Sequence, residues 1–193
     1  MKIVNFIGSP RKQGNSGIIS QKLKEELIDI YPNSSYDIIW AYDLNIKPCI
    51  SCGYCDKKGT CYINDDMNKV YSLVEESDLI NFVTPIYFGS LTGQLKILID
   101  RFQPFYASKY ILDNPRLPEN NNKKVSLIVV AGMSKKRFFE NAKEIIDVFC
   151  INLNIPLTGS LFFTEVDYAG EILKNREYMD NKVSELAQLL TDQ

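Results

Sequence analysis

The chain contains no histidine among its 193 residues. This absence excludes Ser–His–Asp triads, histidine-ligated zinc sites and imidazole proton transfer. No apolar run approaches the ~20 residues that a membrane-spanning helix needs. The net charge is −2 and the charges are interspersed, so no basic stripe indicates a nucleic-acid partner. Any chemistry must therefore come from cysteine, acids, tyrosine, backbone groups or a bound cofactor.

We also expect no secretory signal. Met1 and Lys2 lead directly into the run Ile-Val-Asn-Phe-Ile, without the charged and apolar regions that a signal peptide carries. We therefore expect a cytoplasmic protein with no membrane and no nucleic-acid partner. With 45% hydrophobic residues, residues 1–193 suit one domain with a sizeable core.

Cysteine, in contrast, is concentrated in one place. Four of the five cysteines fall within thirteen residues, in the spacing C-x2-C-x2-C-x5-C: Cys49, Cys52, Cys55 and Cys61. Two-residue gaps let successive sulfurs converge, and such compact runs are typical of iron–sulfur clusters. Structural zinc sites usually split their ligands into two C-x2-C pairs. We call residues 48–62 the cysteine segment, in which Gly53 and Gly59 provide the freedom to fold around a bulky core.

Three other interpretations of the cysteine segment stay open. An empty or labile site ranks second, an all-cysteine zinc site third, and disulfides last because they seldom persist in the cytoplasm. Cys150 stands alone in an apolar helical stretch, and we expect it to be a small core residue.

Strand and helix patterns alternate along the chain, which predicts an α/β fold with a parallel sheet covered by helices on both faces. The predicted strands are 2–7, 36–42, 79–83, 124–131 and 157–163. The predicted helices are 16–30, 91–102, 137–153 and 175–190, together with a helix that is capped by Asp65 or Asp66 and runs to Glu76. Residues 103–123 contain three prolines and are expected to form a long irregular insertion that is functional or mobile.

In an open parallel sheet, ligands bind beyond the carboxyl ends of the strands. Residues 8–16 follow the first strand, are rich in hydroxyl and amide groups, and precede a helix whose N-terminus favours a phosphate. They match neither a Walker A loop nor G-x-G-x-x-G, which favours a monophosphate over a dinucleotide. The alternative is an ordinary polar loop with a Ser or Asn cap.

Two further strand-end loops add to this edge. Residues 84–90 place a proline and two aromatic residues where a solvated loop is normally polar, which suits a flat heteroaromatic ligand or, alternatively, a hydrophobic cap on the sheet. In the third loop, 131–134, Gly132 allows the backbone to approach a ligand closely.

Together these motifs resemble a known family. Gly-Ser-Pro-Arg-x-x-Gly-Asn-Ser at 8–16, Thr-Pro-Ile-Tyr-Phe-Gly at 84–89 and Gly-Gln-Leu-Lys-x-x-x-Asp-Arg at 93–101 resemble the NAD(P)H-dependent FMN reductases of flavodoxin-like fold. The cysteine run followed by Asp65-Asp66-Met67 is similar to their iron–sulfur flavoprotein branch. The resemblance implies a three-layer sandwich whose five-stranded parallel sheet has the order 2-1-3-4-5.

The resemblance also implies the cofactors and their ligands. FMN is expected with its phosphate among one set of residues: Ser9, Arg11, Asn15, Ser16 and Gly17. Its ring is expected against a second set: Pro85, Ile86, Tyr87, Phe88, Gly89 and Gly132. The four clustered cysteines are expected to hold a [4Fe–4S] cluster.

These cofactors imply an oxidoreductase that converts between two-electron and one-electron donors. NAD(P)H or reduced ferredoxin would supply electrons to a small-molecule or protein acceptor, and no side chain needs to act as a general acid or base. The alternatives are a cluster-free NAD(P)H-dependent FMN or quinone reductase, and a non-enzymatic redox carrier or sensor.

An oligomer is expected as well. The insertion 103–123 carries more apolar residues than an exposed loop should, namely Phe105, Tyr106, Tyr110, Ile111 and Leu112. A homodimer or homotetramer would cover them, and the alternative is a loop folded back on its own domain.

Overall fold

The computed structural model of the protein describes residues 1–191. The strands are β1 Lys2–Ile7, β2 Ser35–Trp40, β3 Leu79–Pro85, β4 Lys124–Val130 and β5 Leu157–Phe163. The α-helices are α1 Asn15–Ile30, α2 Tyr54–Lys58, α3 Met67–Glu76, α4 Gly93–Asp100, α5 Gln103–Tyr110, α6 Lys136–Leu153 and α7 Arg176–Thr191. Short 3₁₀ turns occupy Ala41–Asp43 and Glu171–Asn175. Within residues 1–191, no helix has both the length and the hydropathy to cross a membrane.

The five strands form one parallel sheet in the order β2-β1-β3-β4-β5, which confirms the predicted fold. The central strands β1, β3 and β4 are almost fully buried because helices cover both faces of the sheet, whereas the edge strands β2 and β5 are mostly half-buried. Helices α1 and α7 pack on one face, around Ile19, Leu23 and Val183. Helices α3 to α6 pack on the other, around Val70, Phe102 and the residues that surround them.

A row of buried polar side chains crosses the centre of the sheet. Ser126 on β4 donates to Oδ1 of Asn81 on β3 over 2.5 Å, and Asn81 Nδ2 donates to Oδ1 of Asn5 on β1 over 2.6 Å. Asn5 Nδ2 then donates to Ser20 on α1 over 2.9 Å. All four residues are fully buried, and the three strand residues share one level of the register.

One predicted segment differs. Residues 103–110 were expected to be irregular, but they form the helix α5, with Pro104 in its first turn, where proline is favoured rather than disruptive. Phe105 is buried against Tyr71 and Phe102, whereas Tyr106, Tyr110, Ile111 and Leu112 are exposed. The prediction of a wholly irregular insertion is therefore wrong for its first eight residues. The short helix α2 inside the cysteine segment was not predicted either.

Candidate functional site

The loop at residues 8–16 joins the carboxyl end of β1 to the first turn of α1. Gly14 N donates to Arg11 O over 3.0 Å, and Arg11 N donates to Ser9 Oγ over 3.1 Å, so the loop is tightly turned. Helix α1 begins without a side-chain cap and without an acid in its first turn. The first N–H groups of a helix have no partner within the helix and carry partial positive charge, so this end attracts an anion.

The second loop, after β3, ends in a two-residue turn. Tyr87 and Ser90 exchange N–H···O bonds of 3.0 and 3.2 Å, and the central residues Phe88 and Gly89 have φ of 51° and 79°. Positive φ at both centres defines a type I′ turn, which is unfavourable for a bulky residue. Phe88 is nevertheless fully exposed, and Asn141 holds the turn by donating to Gly89 O over 2.9 Å.

A fourth loop, which follows β5, was missed by the sequence analysis. Asn15 Nδ2 donates to Val166 O and Tyr168 O over 3.2 and 3.0 Å, and Asn15 Oδ1 accepts from Ile172 N over 3.3 Å. A Cβ on Gly132 would lie 2.3 Å from Asp167 Oδ1, so this carboxylate rests directly on the glycine. The rule that ligands bind at strand carboxyl ends could have pointed to residues 164–170, since β5 ends at Phe163.

These four loops surround one small cavity of about 70 Å³. Most of the predicted flavin-site residues line it: Ser9, Arg11, Asn15, Ser16, Pro85, Ile86, Tyr87 and Gly132. Gly17 does not line it. It packs instead against the backbone of Lys12 and the Trp40 ring, since a Cβ there would lie 2.1 Å from Lys12 O and 3.1 Å from that ring. Phe88 and Gly89 project beyond it in the turn. Cofactor pockets usually measure ~300–1,000 Å³, so this cavity matches only part of a nucleotide.

The cysteine segment forms a second, separate cavity of about 530 Å³, which shares no lining residue with the first. All four clustered cysteines line it. Positive φ at Ser51, Gly53 and Gly59 turns the segment around this space, as expected for the two glycines. Cys49 and Cys52 are exposed, and Cys55 and Cys61 are half-buried. No group of three or more possible ligands within residues 1–191 is close enough to hold a single metal ion.

An ion pair closes the base of the cysteine segment. Arg101, which follows α4, has a side chain only 1% exposed, and its two terminal nitrogens lie 2.7 and 3.1 Å from the oxygens of Asp65. Burial opposes the charge of Arg101, but the hydrogen bonds to Asp65 and the field of Cys61 outweigh it and raise the Arg101 pKa. Burial likewise opposes the charge of Asp65, but Arg101 and the N–H groups of Lys47 and Met67 hold the pKa of Asp65 below its ordinary value.

Cys150 lies apart, on the face of α6 that is buried in the core. Burial raises the pKa of its thiol to about 12. The thiolate is the nucleophile and metal ligand, so Cys150 is unsuited to either task, as the sequence predicts.

Comparison with known proteins adds the family context. The sequence profile described as NADPH-dependent FMN reductase matches residues 1–167. An iron–sulfur flavoprotein of Methanocaldococcus jannaschii is 32% identical over 167 residues, 84% of this chain and 77% of the relative. One from Archaeoglobus fulgidus is 37% identical over 107 residues, 54% of this chain and 47% of the relative. This last match, like the match to another M. jannaschii iron–sulfur flavoprotein, spans about half of the relative's length.

Solved structures share the fold at low identity. An NAD(P)H:quinone oxidoreductase from Methanothermobacter marburgensis superposes with a TM-score of 0.74 at 14% identity, covering 100% of this chain and 97% of that one. An azoreductase from Bacillus anthracis superposes with a TM-score of 0.72 at 14% identity, covering 100% of both chains.

Proposed function

Because the chain belongs to the NADPH-dependent FMN reductase family, we propose that it is an FMN-dependent oxidoreductase that passes electrons from NAD(P)H or reduced ferredoxin to an acceptor, through FMN and a [4Fe–4S] cluster. The observation that carries the proposal is the meeting of the predicted loops around the N-terminus of α1. The alternation of strand and helix brings loops from distant parts of the chain to one edge of the sheet.

The donor set at this edge fits the phosphate of FMN. Ser9 and Ser16 provide buried hydroxyl-bearing side chains, Arg11 provides a cation, and the first turn of α1 provides backbone N–H groups. The absence of an acid from the first turn of α1 removes a source of repulsion at that point. Asp167 lies across the cavity, on Gly132, where it could accept hydrogen bonds from ribityl hydroxyls.

The ring of FMN would lie on the second loop. Pro85, Ile86 and Tyr87 line the same cavity as the phosphate-binding residues and form a continuous rigid backbone at the end of β3. Apolar side chains and fixed backbone suit a flat heteroaromatic ring and exclude water from it. When bound, FMN would accept two electrons and release them singly, and this chain's residues would bind it, orient it and limit its contact with solvent.

The cysteine segment offers four thiol ligands to a cluster. All four thiols line one cavity of about 530 Å³, and no three possible ligands within residues 1–191 converge on a single metal ion. In a four-iron cluster each thiolate binds a different iron, so the ligand sulfurs lie farther apart than the ligands of one zinc ion. Cys49, Cys52, Cys55 and Cys61 would hold it, with the segment's positive-φ residues providing the wrap.

Two measurements test this function. Protein purified anaerobically and reconstituted with iron and sulfide should show FMN and cluster absorbance together, with four irons per chain. It should also oxidise NADH or NADPH in steady state with an added quinone or flavin. Cluster-free protein with full activity would support the plain FMN or quinone reductase instead. Bound cofactors without turnover of any donor would support the redox carrier or sensor.

A further inference from the structure

The base of the cysteine segment is held by one side chain. Nη1 of Arg101 donates to Lys47 O over 2.6 Å, just before the segment, and Nη2 lies 3.4 Å from Ile63 O, just after it. The Asp65 carboxylate strengthens this junction, because it also accepts from the N–H of Lys47 over 3.0 Å and from that of Met67 over 3.1 Å. Arg101 and Asp65 therefore join the two ends of the segment at one point.

The same guanidinium reaches a thiol. Nη2 of Arg101 also lies 3.4 Å from the Sγ of Cys61 and donates toward it. Arg101 lines the cavity that the four cysteines share. The positive charge of Arg101 thus lies beside the sulfur of one proposed ligand. The same terminal nitrogens also donate to the carboxylate of Asp65.

Stability is a weak reason to bury such a pair. Removing two charges from water costs about as much as their attraction returns, and apolar residues of similar volume often stabilise a protein equally well. Moreover, Arg101 Nε is buried without a partner among residues 1–191, which adds a cost that a purely structural ion pair would avoid. The position of the pair beside the cysteine cavity indicates a functional reason for burying it.

We propose that Arg101 is a positioning residue for the cysteine site, which closes the segment around its cluster and raises the reduction potential of that cluster through the hydrogen bond to Cys61. This inference rests on the proposed function. Reduction adds one electron from an external donor and breaks no bond, so the cluster and its thiolates gain one negative charge. A nearby cation and an N–H···S hydrogen bond stabilise that charge, and both are known to set the potentials of such clusters.

Opposite substitutions in the pair test the idea. In reconstituted full-length protein, Arg101→Gln should lower the midpoint potential in a redox titration, changing the ratio of reduced to oxidised cluster at fixed potential by roughly tenfold, or about 59 mV for one electron. Asp65→Asn removes a negative charge near the same sulfur and should raise the potential. Arg101→Lys keeps the charge but loses the planar fork, and should restore part of the potential.

The matched control is Arg116→Gln. Arg116 is a partly buried arginine that pairs with Glu75 over 2.7 Å and does not line the cysteine cavity. The midpoint potential of the cluster in Arg116→Gln should equal that in the parent protein. FMN content reports folding in every variant, because the flavin and cysteine cavities share no residue. Iron loss to a chelator should be faster in Arg101→Gln than in Arg116→Gln.

The outcomes separate the two proposals. The inference is overturned if the midpoint potential shifts in the same direction in Arg101→Gln and Asp65→Asn. It is also overturned if the potential shifts in neither variant. In both cases the pair is only a structural contact. If Arg101→Gln does not fold, the Asp65→Asn variant decides. A midpoint potential of its cluster that is unchanged or lowered overturns this inference but not the proposed function. A parent protein that assembles no cluster overturns both this inference and the cluster in the proposed function.

Discussion

Asn15 shows how a residue that lines the candidate site can also hold a distant loop in place. The sequence places it beside a phosphate, but its side-chain amide is committed to the backbone of residues 166–172. It therefore joins the loop after β5 to the first turn of α1. No local pattern could indicate this, because the partners are more than 150 residues apart.

Arg11 and Asn15 should affect FMN by different routes. Arg11→Ala removes a cation from the phosphate cavity, and a charged hydrogen bond is worth ~1.5–3 kcal/mol of binding. Asn15→Ala releases residues 166–172 and should weaken FMN by loosening one wall of the cavity. Both effects are measured by titrating FMN with apoprotein and monitoring the quenching of FMN fluorescence.

Lys12→Ala is the control for Arg11. Lys12 is the adjacent cation, but it pairs with Asp43 over 2.6 Å and does not line the cavity. Its loss should change FMN affinity little. A double variant of Arg11 and Asn15 that binds FMN with parental affinity would show that the phosphate lies elsewhere.

At the scale of elements, the cysteine segment should behave as one unit. Replacing any one of Cys49, Cys52, Cys55 or Cys61 with Ser should bleach the cluster, because a site with three thiolates loses iron readily. FMN should remain, since the two cavities share no residue. Cys150→Ala should leave both cofactors bound and cost ~1 kcal/mol of stability through a small cavity.

Iron, sulfide and zinc analysis of the anaerobically reconstituted variants decides between the metals. Zinc instead of iron in the parent, or no metal after reconstitution, would contradict the cluster and leave a plain flavin reductase. A loss of cluster in Cys150→Ala would contradict the separation of this residue from the site.

The polar row across the sheet should be expensive to break. Asn81→Ala leaves Asn5 Oδ1 and Ser126 Oγ buried without partners, and each unpaired group costs ~1–3 kcal/mol. The free energy of unfolding, measured by urea denaturation, should fall by roughly the sum of two such costs. The exposed Asn68, which is bonded to Asn64, is the control, and Asn68→Ala should stay within ~0.5 kcal/mol of the parent. Equal decreases in the free energy of unfolding of the two variants would mean that the buried row stabilises the protein no more than an exposed hydrogen bond does.

At the scale of the whole molecule, the unpartnered apolar surface on α5 and α6 predicts self-association. Tyr106 and Val148 are exposed and line a groove of about 240 Å³. Tyr110, Ile111 and Ile151 are exposed at the ends of α5 and α6. Burying them in an interface would remove apolar area from water. Wild-type protein should therefore sediment as a dimer or tetramer at micromolar concentration.

The double variant Tyr110→Glu, Ile111→Glu should shift this protein toward the monomer, because it places two charges in the interface. The matched control is Leu189→Glu on α7, an exposed residue on the opposite face of the sheet. Wild-type protein that sediments only as a monomer would remove the interface, and equal dissociation by the control would move it elsewhere.

Sequence reasoning predicted the sheet and most of the residues that line the cavity at its edge for a physical reason. The central strands Leu79–Pro85 and Lys124–Val130 lie in a parallel sheet and are short runs rich in apolar residues, so their bounds are visible in the sequence. Helix α5 was missed because Pro104 reads as a breaker, although it lies in the first turn, where no N–H is needed. The burial of Phe105 and Arg101 depends on tertiary contacts that no local pattern contains.

The closed base of the cysteine segment has a consequence for how such a chain can evolve. Lys47 and Asp65 are held together by Arg101, so the residues between them form an excursion whose two ends are joined by hydrogen bonds. Residues could be gained, lost or exchanged there without shifting the register of β2 or the start of α3. A lineage could thus change the contents of the cysteine segment in few mutational steps, while the sheet itself stays under separate selection.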